Sequence, residues 1–338
     1  MWLPLRTNGE TMGERRVSLT SDWTYRGLRT LILENRQIRV TVLPDLGGKI
    51  WSILYKPTDR EMLWHNPRVP PRLAHHGATY DNWFCGGWDE VFPNDFPVGI
   101  DGEAWPDHGE LWSTPVTWEV LERNDDTISV ALDANGIALP TRFRKVLTLR
   151  RDQPVLQIDY EITNHGREPL RFHWKSHPAL PLGQDARLHL PVRRVIDEPG
   201  FGEVFAEREF AWPQAPRVDG TTLDLRQVVG PGSGDVQFWY GVELEDGWAA
   251  VSYSDEAIGF GLRFDPSILD AVWVFATGGG WRGLETIILE PCTGYHADLV
   301  EAIAAGTHRT LGPGETLATS MTAHVLVGSE GIAGFTGE

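Results

Sequence analysis

Apolar and polar residues alternate in short runs along most of this 338-residue chain. Ile38, Val40 and Val42 alternate with Arg39 and Thr41, and Leu156, Ile158, Tyr160 and Ile162 share one face of another run. A period of two marks a half-buried strand, because successive side chains point to opposite faces. The pattern predicts strands over 28–33, 37–43, 49–55, 118–122, 127–132, 143–149, 155–163 and 170–175. Others follow over 236–244, 248–253, 259–264, 271–276, 286–290 and 319–326. One short helix is predicted, over 298–305. Residues 1–26 read as a polar, turn-prone N-terminal extension, and 27–338 as a single domain. Between 56 and 116 the alternation gives way to a loop-rich stretch of proline, glycine, histidine and tryptophan. A long irregular segment inside a compact domain is often a binding site. Many short strands between turn signals predict an all-β fold, a large antiparallel β-sandwich.

Composition narrows the function classes. Apolar residues make up 41% of the chain, enough for a large core. The net charge of −17 argues against broad contact with nucleic acid or an anionic membrane. No apolar run is long enough to span a bilayer. Residues 1–16 lack an apolar stretch followed by a small-residue cleavage site, so no signal peptide is expected. Two cysteines, Cys85 and Cys292, do not make a disulfide scaffold, and a cytoplasmic location is the default. Most of the fifteen tryptophans fill core, but Trp88, Trp105 and Trp112 lie in Gly/Pro-rich loops, where an indole can stack on a sugar.

Three separated motifs carry candidate chemistry: Pro106-Asp107-His108-Gly109-Glu110-Leu111-Trp112, His177-Pro178-Ala179-Leu180 and Leu289-Glu290-Pro291-Cys292-Thr293-Gly294. If a strand runs through 169–177, Leu170, Phe172 and Trp174 face one way and Arg171, His173, Lys175 and His177 the other. Two imidazoles and an ammonium in a row suit a solvated cleft, which would let His173 and Lys175 touch substrate. An exposed, satisfied histidine is the competing reading for His173. Thr286, Ile288 and Glu290 share a face, and Pro291 is expected to end that ladder. A carboxylate at the end of so apolar a strand is partly desolvated, which raises its pKa toward that of a useful base. A rim glutamate paired with Arg282 is the plain alternative. His108, beside Asp107 and Glu110, could be held protonated or in one tautomer. Gly86-Gly87 permit close backbone approach, and Asp89, Glu90 and Asn94 could bind sugar hydroxyls. No His-Glu-x-x-His, Cys-x-x-Cys or Walker loop occurs, and no Gly-x-Gly-x-x-Gly follows a predicted strand and precedes a helix, so neither metal nor nucleotide cofactor is expected.

Over about 35–327 these motifs, in this order, resemble the galactose mutarotase-like (aldose 1-epimerase) superfamily, in an uncharacterised branch. Gly86-Gly87 through Phe92-Pro93 is similar to that family's Gly-Gly loop, and the stretch from Lys145–Leu149 through Asn164–Leu170 to its central hairpin. The resemblance implies a supersandwich fold and interconversion of α and β anomers of a free sugar without a cofactor. It implies that Glu290 takes the anomeric proton, His177 protonates the ring oxygen and His108 orients the sugar. There is no convincing equivalent of the arginine or second acidic residue with which galactose mutarotases grip their sugar. Two alternatives stay open: a carbohydrate-binding or regulatory module without turnover, and an epimerase of another sugar or a sugar phosphate held by Arg68, Lys175 and Arg282. The expected partner is a small-molecule sugar, with a homodimer possible.

Overall fold

The strand that carries the longest apolar run, Ala271–Gly278, is buried along its whole length. An alternating strand buries one face, so a strand buried on both must lie in a sheet covered on both sides. The computed structural model, which describes residues 17–100, 102–202 and 205–337, shows how. A twelve-stranded sheet runs in the order Val17–Thr20, Leu31–Asn35, Ile38–Leu43, Lys49–Tyr55, Trp88–Val91, Lys175–Pro181, Glu285–Cys292, Ala271–Gly278, Val236–Leu244, Val192–Asp197 and Glu209–Ala211, with Arg60–Glu61 paired to Lys49–Tyr55. An eight-stranded sheet packs beneath it and includes Thr127–Asn135, Thr141–Arg150, Val155–Asn164 and Thr316–Val327. Pairing within both is antiparallel. The expected antiparallel β-sandwich is the observed fold.

Side-chain alternation sorts the large sheet into two faces. Leu180, Ile287, Leu289, Val272 and Val274 join Leu147, Ile158 and Leu262 of the other sheet in the main core. Ala179, Ile288, Phe275, Phe238 and Trp273 point the opposite way. They meet Ala78, Tyr80, Phe84 and Trp112 from the loop-rich segment, which forms a lid of irregular chain over the sheet.

Most predicted strands exist with their ends moved by a few residues. Three differences have physical causes. Val17–Thr20, inside the segment expected as an extension, pairs with Leu31–Asn35, burying Val17 and Leu19; residues 1–16 lie outside the described residues. The strand predicted over 170–175 is two strands, Leu170–Phe172 and Lys175–Pro181. Pro291 does not end its ladder, because the strand continues to Cys292 and Pro291 pairs with Val272. The expected helix is Leu299–Ala305, capped by the Asp298 side chain accepting from the amides of Val300 and Glu301. A second helix, Gly328–Thr336, was not signalled by its glycine-rich sequence. It forms where Phe335 packs against Trp248, a case of tertiary burial overriding weak local propensity.

Candidate active site

Strand register builds the site. Lys175 pairs with Cys292 and Ala179 with Ile288, which puts His177 opposite Glu290. His177 also pairs with Asp89, and Glu290 with Trp273. One cross-strand row therefore reads Asp89, His177, Glu290, Trp273 over four neighbouring strands. Pro178 and Pro291 follow the two central residues and supply no N–H, so the recorded pairing skips from Lys175–Cys292 to Ala179–Ile288. The sheet is loosened where its two titratable groups meet.

A cavity of about 290 Å³ lies over this row. His177, Glu290, Lys175 and His108 line it, with Tyr80, Asp81, Asp95 and Asp107. Nε2 of His177 stands 3.9 Å from Oε2 of Glu290. The Lys175 ammonium touches Glu290, lies 3.0 Å from Oδ1 of Asp95 and sits 4.3 Å above the Trp273 ring. His108 bridges two carboxylates, with Nδ1 2.8 Å from Asp107 and Nε2 3.3 Å from Asp95. Its ring stacks on Tyr80 at 4.0 Å. His108 has a φ of +57°, a sparsely populated conformation for a residue with a Cβ. Gly109 follows at +66°, and a Cβ there would fall 1.9 Å from the Phe92 carbonyl oxygen. Only glycine lets this loop lie against Phe92-Pro93.

Behind His177 runs a buried polar chain. Tyr80 Oη donates to Asp89 at 2.8 Å, and Lys49 Nζ donates to Asp89 at 2.5 Å and to the Gly86 carbonyl at 2.7 Å. Nδ1 of His177 lies 3.4 Å from the same Tyr80 oxygen. The Tyr80 proton is committed to Asp89, so the partner proton resides on Nδ1, leaving the Nε2 lone pair toward the cavity.

Burial and neighbouring charge set the protonation states. Burial, with the cations Lys175, His108 and Lys49 around it, holds His177 well below the usual imidazole range. Burial pushes Glu290 up to about 7 although Lys175 pulls the other way. Burial opposes the charge on His108, but Asp95 and Asp107 outweigh it and raise its pKa. Asp95 is lowered, because Lys175 and His108 overcome its burial. The cavity thus holds a neutral histidine, a carboxyl group poised near neutrality, the Lys175 ammonium and a second histidine whose carboxylate neighbours favour its charged form.

Of the sequence-predicted residues, Glu290, His177, His108 and Lys175 come together at the cavity. The others do not line it. Trp88 is fully buried against Phe260 in the main core. Glu90 points between the sheets, where it accepts from Tyr160 at 3.0 Å and Trp174 at 3.2 Å and pairs with Lys145. Asp89 and Glu90 are consecutive strand residues, so they cannot both face one ligand. Asp89 acts from behind Tyr80. Asn94 braces its loop by donating to the carbonyls of Phe96 and Pro106. Trp112 packs edge-on to Tyr80 and donates to the Asp107 carbonyl. Trp105 is buried in the main core. His173 is buried beside Trp273, and burial takes its pKa down to about 3. Glu110 turns away from His108 to accept from the amides of Ile137 and Ala138. Tyr80, Asp95 and an aromatic wall of Phe84, Phe96, Phe201, Phe238, Phe275 and Trp281 were missed. Phe238 and Phe275 had a readable signal, since they share the face of Ile288. Phe201 had none.

Among the described residues, no group of three or more His, Cys, Asp or Glu side chains is arranged to hold a metal ion. Cys85 and Cys292 are buried and free. No helix among the described residues is long and apolar enough to cross a membrane.

Comparison with known proteins agrees with this architecture. A Klebsiella pneumoniae protein provisionally named an aldose 1-epimerase superposes with a TM-score of 0.74 over 95% of this chain and 86% of its own, at 16% identity. A galactose mutarotase-like protein from Clostridium acetobutylicum matches with a TM-score of 0.66 over 92% and 98% of the two chains, at 12% identity. A TPR-domain containing protein from Parabacteroides distasonis matches at 0.64 over 88% of this chain and 47% of its own, at 16% identity. Residues 19–218 match the family model described as a domain of unknown function, DUF5107. The chain belongs to the DUF5107 family, built on the galactose mutarotase-like fold.

Proposed function

We propose that this protein interconverts the α and β anomers of a free sugar, as an aldose 1-epimerase-like isomerase. The observation that carries the reading is the pairing of His177 and Glu290 at 3.9 Å on adjacent strands, both buried and both lining one cavity. A base and an acid on opposite sides of a pyranose ring would stand about a ring's width apart. The separation is shorter than that, because the two residues are register neighbours. The shorter distance suits anomerisation, since the anomeric oxygen and the ring oxygen are bonded to the same carbon.

The resemblance assigns the base to Glu290 and the acid to His177. The electrostatics favour the opposite resting state: His177 is kept neutral with its Nε2 lone pair free, and Glu290 keeps its proton up to about pH 7. The pair then holds one transferable proton. Nε2 takes the proton of the anomeric hydroxyl, the bond from C1 to the ring oxygen breaks, and Glu290 gives its proton to that oxygen. The aldehyde turns. The ring hydroxyl attacks the other face and returns its proton to Glu290, while the imidazolium protonates the carbonyl oxygen. Each group ends as it began, so no cofactor is consumed. His108, fixed between Asp95 and Asp107, orients the sugar. Lys175 steadies the glutamate when it is charged.

A sugar phosphate fits less well. Arg282 is committed to the Asp81 carbonyl and to Asn82, and Arg68 to the Arg282 carbonyl. Neither lines the cavity. NMR saturation exchange between anomers across a panel of free sugars tests the proposal. At least one sugar should exchange faster than in buffer, and exchange at the buffer rate for every sugar would sink it.

A further inference from the structure

The cavity has two unlike halves. One is ionic and continuous: Asp107, His108, Asp95, Lys175 and Glu290 touch in sequence. The other is an arc of aromatic rings. Phe96 meets Phe201 at 6.2 Å, Phe201 meets Phe238 at 5.1 Å and Phe275 at 6.1 Å, Phe275 meets Trp281 at 5.4 Å, and Trp281 meets Phe84 at 6.3 Å. Among the described residues, no serine, threonine, asparagine or glutamine side chain lines the cavity. The Tyr80 hydroxyl is already engaged by Asp89 and His177. A fully hydroxylated sugar needs hydrogen-bond partners around its whole rim. Here the reacting end finds them, while the Ile288–Phe275–Phe238 row, two residues along the strands from the Glu290 row, offers none.

We propose that the substrate is a deoxy sugar, whose reducing end sits on the ionic half and whose methyl-bearing end rests on the aromatic arc. This names the substrate class of the anomerase reading and rests on it. A hydroxyl forced against the arc loses its water without gaining a partner. Three carboxyl groups besides Glu290, those of Asp81, Asp95 and Asp107, also line the cavity and disfavour a uronate or phosphate at the same place.

The test uses the intact protein and matched pairs: 6-deoxy-D-glucose with D-glucose, L-fucose with L-galactose, L-rhamnose with L-mannose. Binding is read by isothermal titration calorimetry, and turnover from anomer exchange. In the best-bound pair the deoxy member should bind about 10- to 100-fold tighter, the range over which an apolar pocket rejects an added hydroxyl. Phe201→Asn, a loop substitution that supplies a hydroxyl partner, should narrow that ratio; an unchanged ratio counts against the arc. Parent sugars binding as tightly as their deoxy forms, or no binding by either, overturns the proposal. Deoxy preference in binding without anomer exchange leaves it standing and removes the anomerase reading instead.

Discussion

Glu290 is a carboxyl group placed where water is scarce and a lysine is close. Burial lifts its pKa to about 7, and Lys175 limits that rise. The protonated form is the one that donates, so turnover should fall as pH rises through about 7 and hold steady below it, until His177 itself takes a proton. Lys175→Met removes the opposing charge, so the falling limb should move to higher pH; a pH–rate profile of the variant reads this, and a limb that stays put contradicts it. Tyr80 governs the other partner. Tyr80→Phe keeps the ring stacked on His108 but removes the oxygen facing Nδ1 of His177. Turnover should drop about 10-fold, at the lower end of what positioned acid–base groups contribute, with KM little changed. Nitrogen-15 NMR of the imidazole should show the Nδ1–H tautomer in the wild type and its loss in the variant.

At the scale of elements, what the sequence revealed and what it hid divide along physical lines. Strands with clean alternation, such as Val155–Asn164, were legible because the period of two is written locally. The apolar pattern placed Glu290 and His177 on strands, and it was the resemblance of their motifs to the mutarotase-like superfamily that singled them out. The substrate contacts were less legible. Trp88 looked like a loop residue, yet it begins the strand Trp88–Val91 and faces the core. Glu90 looked like its neighbour Asp89, yet strand geometry sends it between the sheets to Lys145. The role of Tyr80 depends on a loop crossing over Asp89 and His177, which no local pattern encodes. The loop that holds His108 gives an element-scale prediction. Gly109→Ala adds a methyl against the Phe92 carbonyl in a backbone region that favours glycine. The loop must shift or the chain must strain, so stability should fall by about 2 kcal/mol or more in thermal or urea unfolding. A variant of unchanged stability would mean that the loop does not need this close approach.

The whole molecule explains why so charged a cavity survives. The large sheet is covered on both faces, by the second sheet beneath and by the loop-rich segment above. That burial shields Lys49, Asp89, Lys175 and Glu290 from water, and each is paired in the way that buried charges require. The same enclosure keeps both cysteines out of reach, and burial raises the pKa of each. Thiol titration should therefore find almost no reactive group in the native protein and two after unfolding without reductant; none after unfolding would contradict the free-cysteine arrangement. The central claim is that Glu290 and His177 exchange one proton with a sugar held in this cavity. Its most direct test is the anomer exchange rate of Glu290→Gln on the best sugar, read by NMR saturation exchange beside a binding measurement. Glutamine keeps the shape and the contact with Lys175 but cannot pass a proton. Exchange should fall at least ~100-fold with sugar binding largely retained, whereas exchange near the wild-type rate would contradict the account.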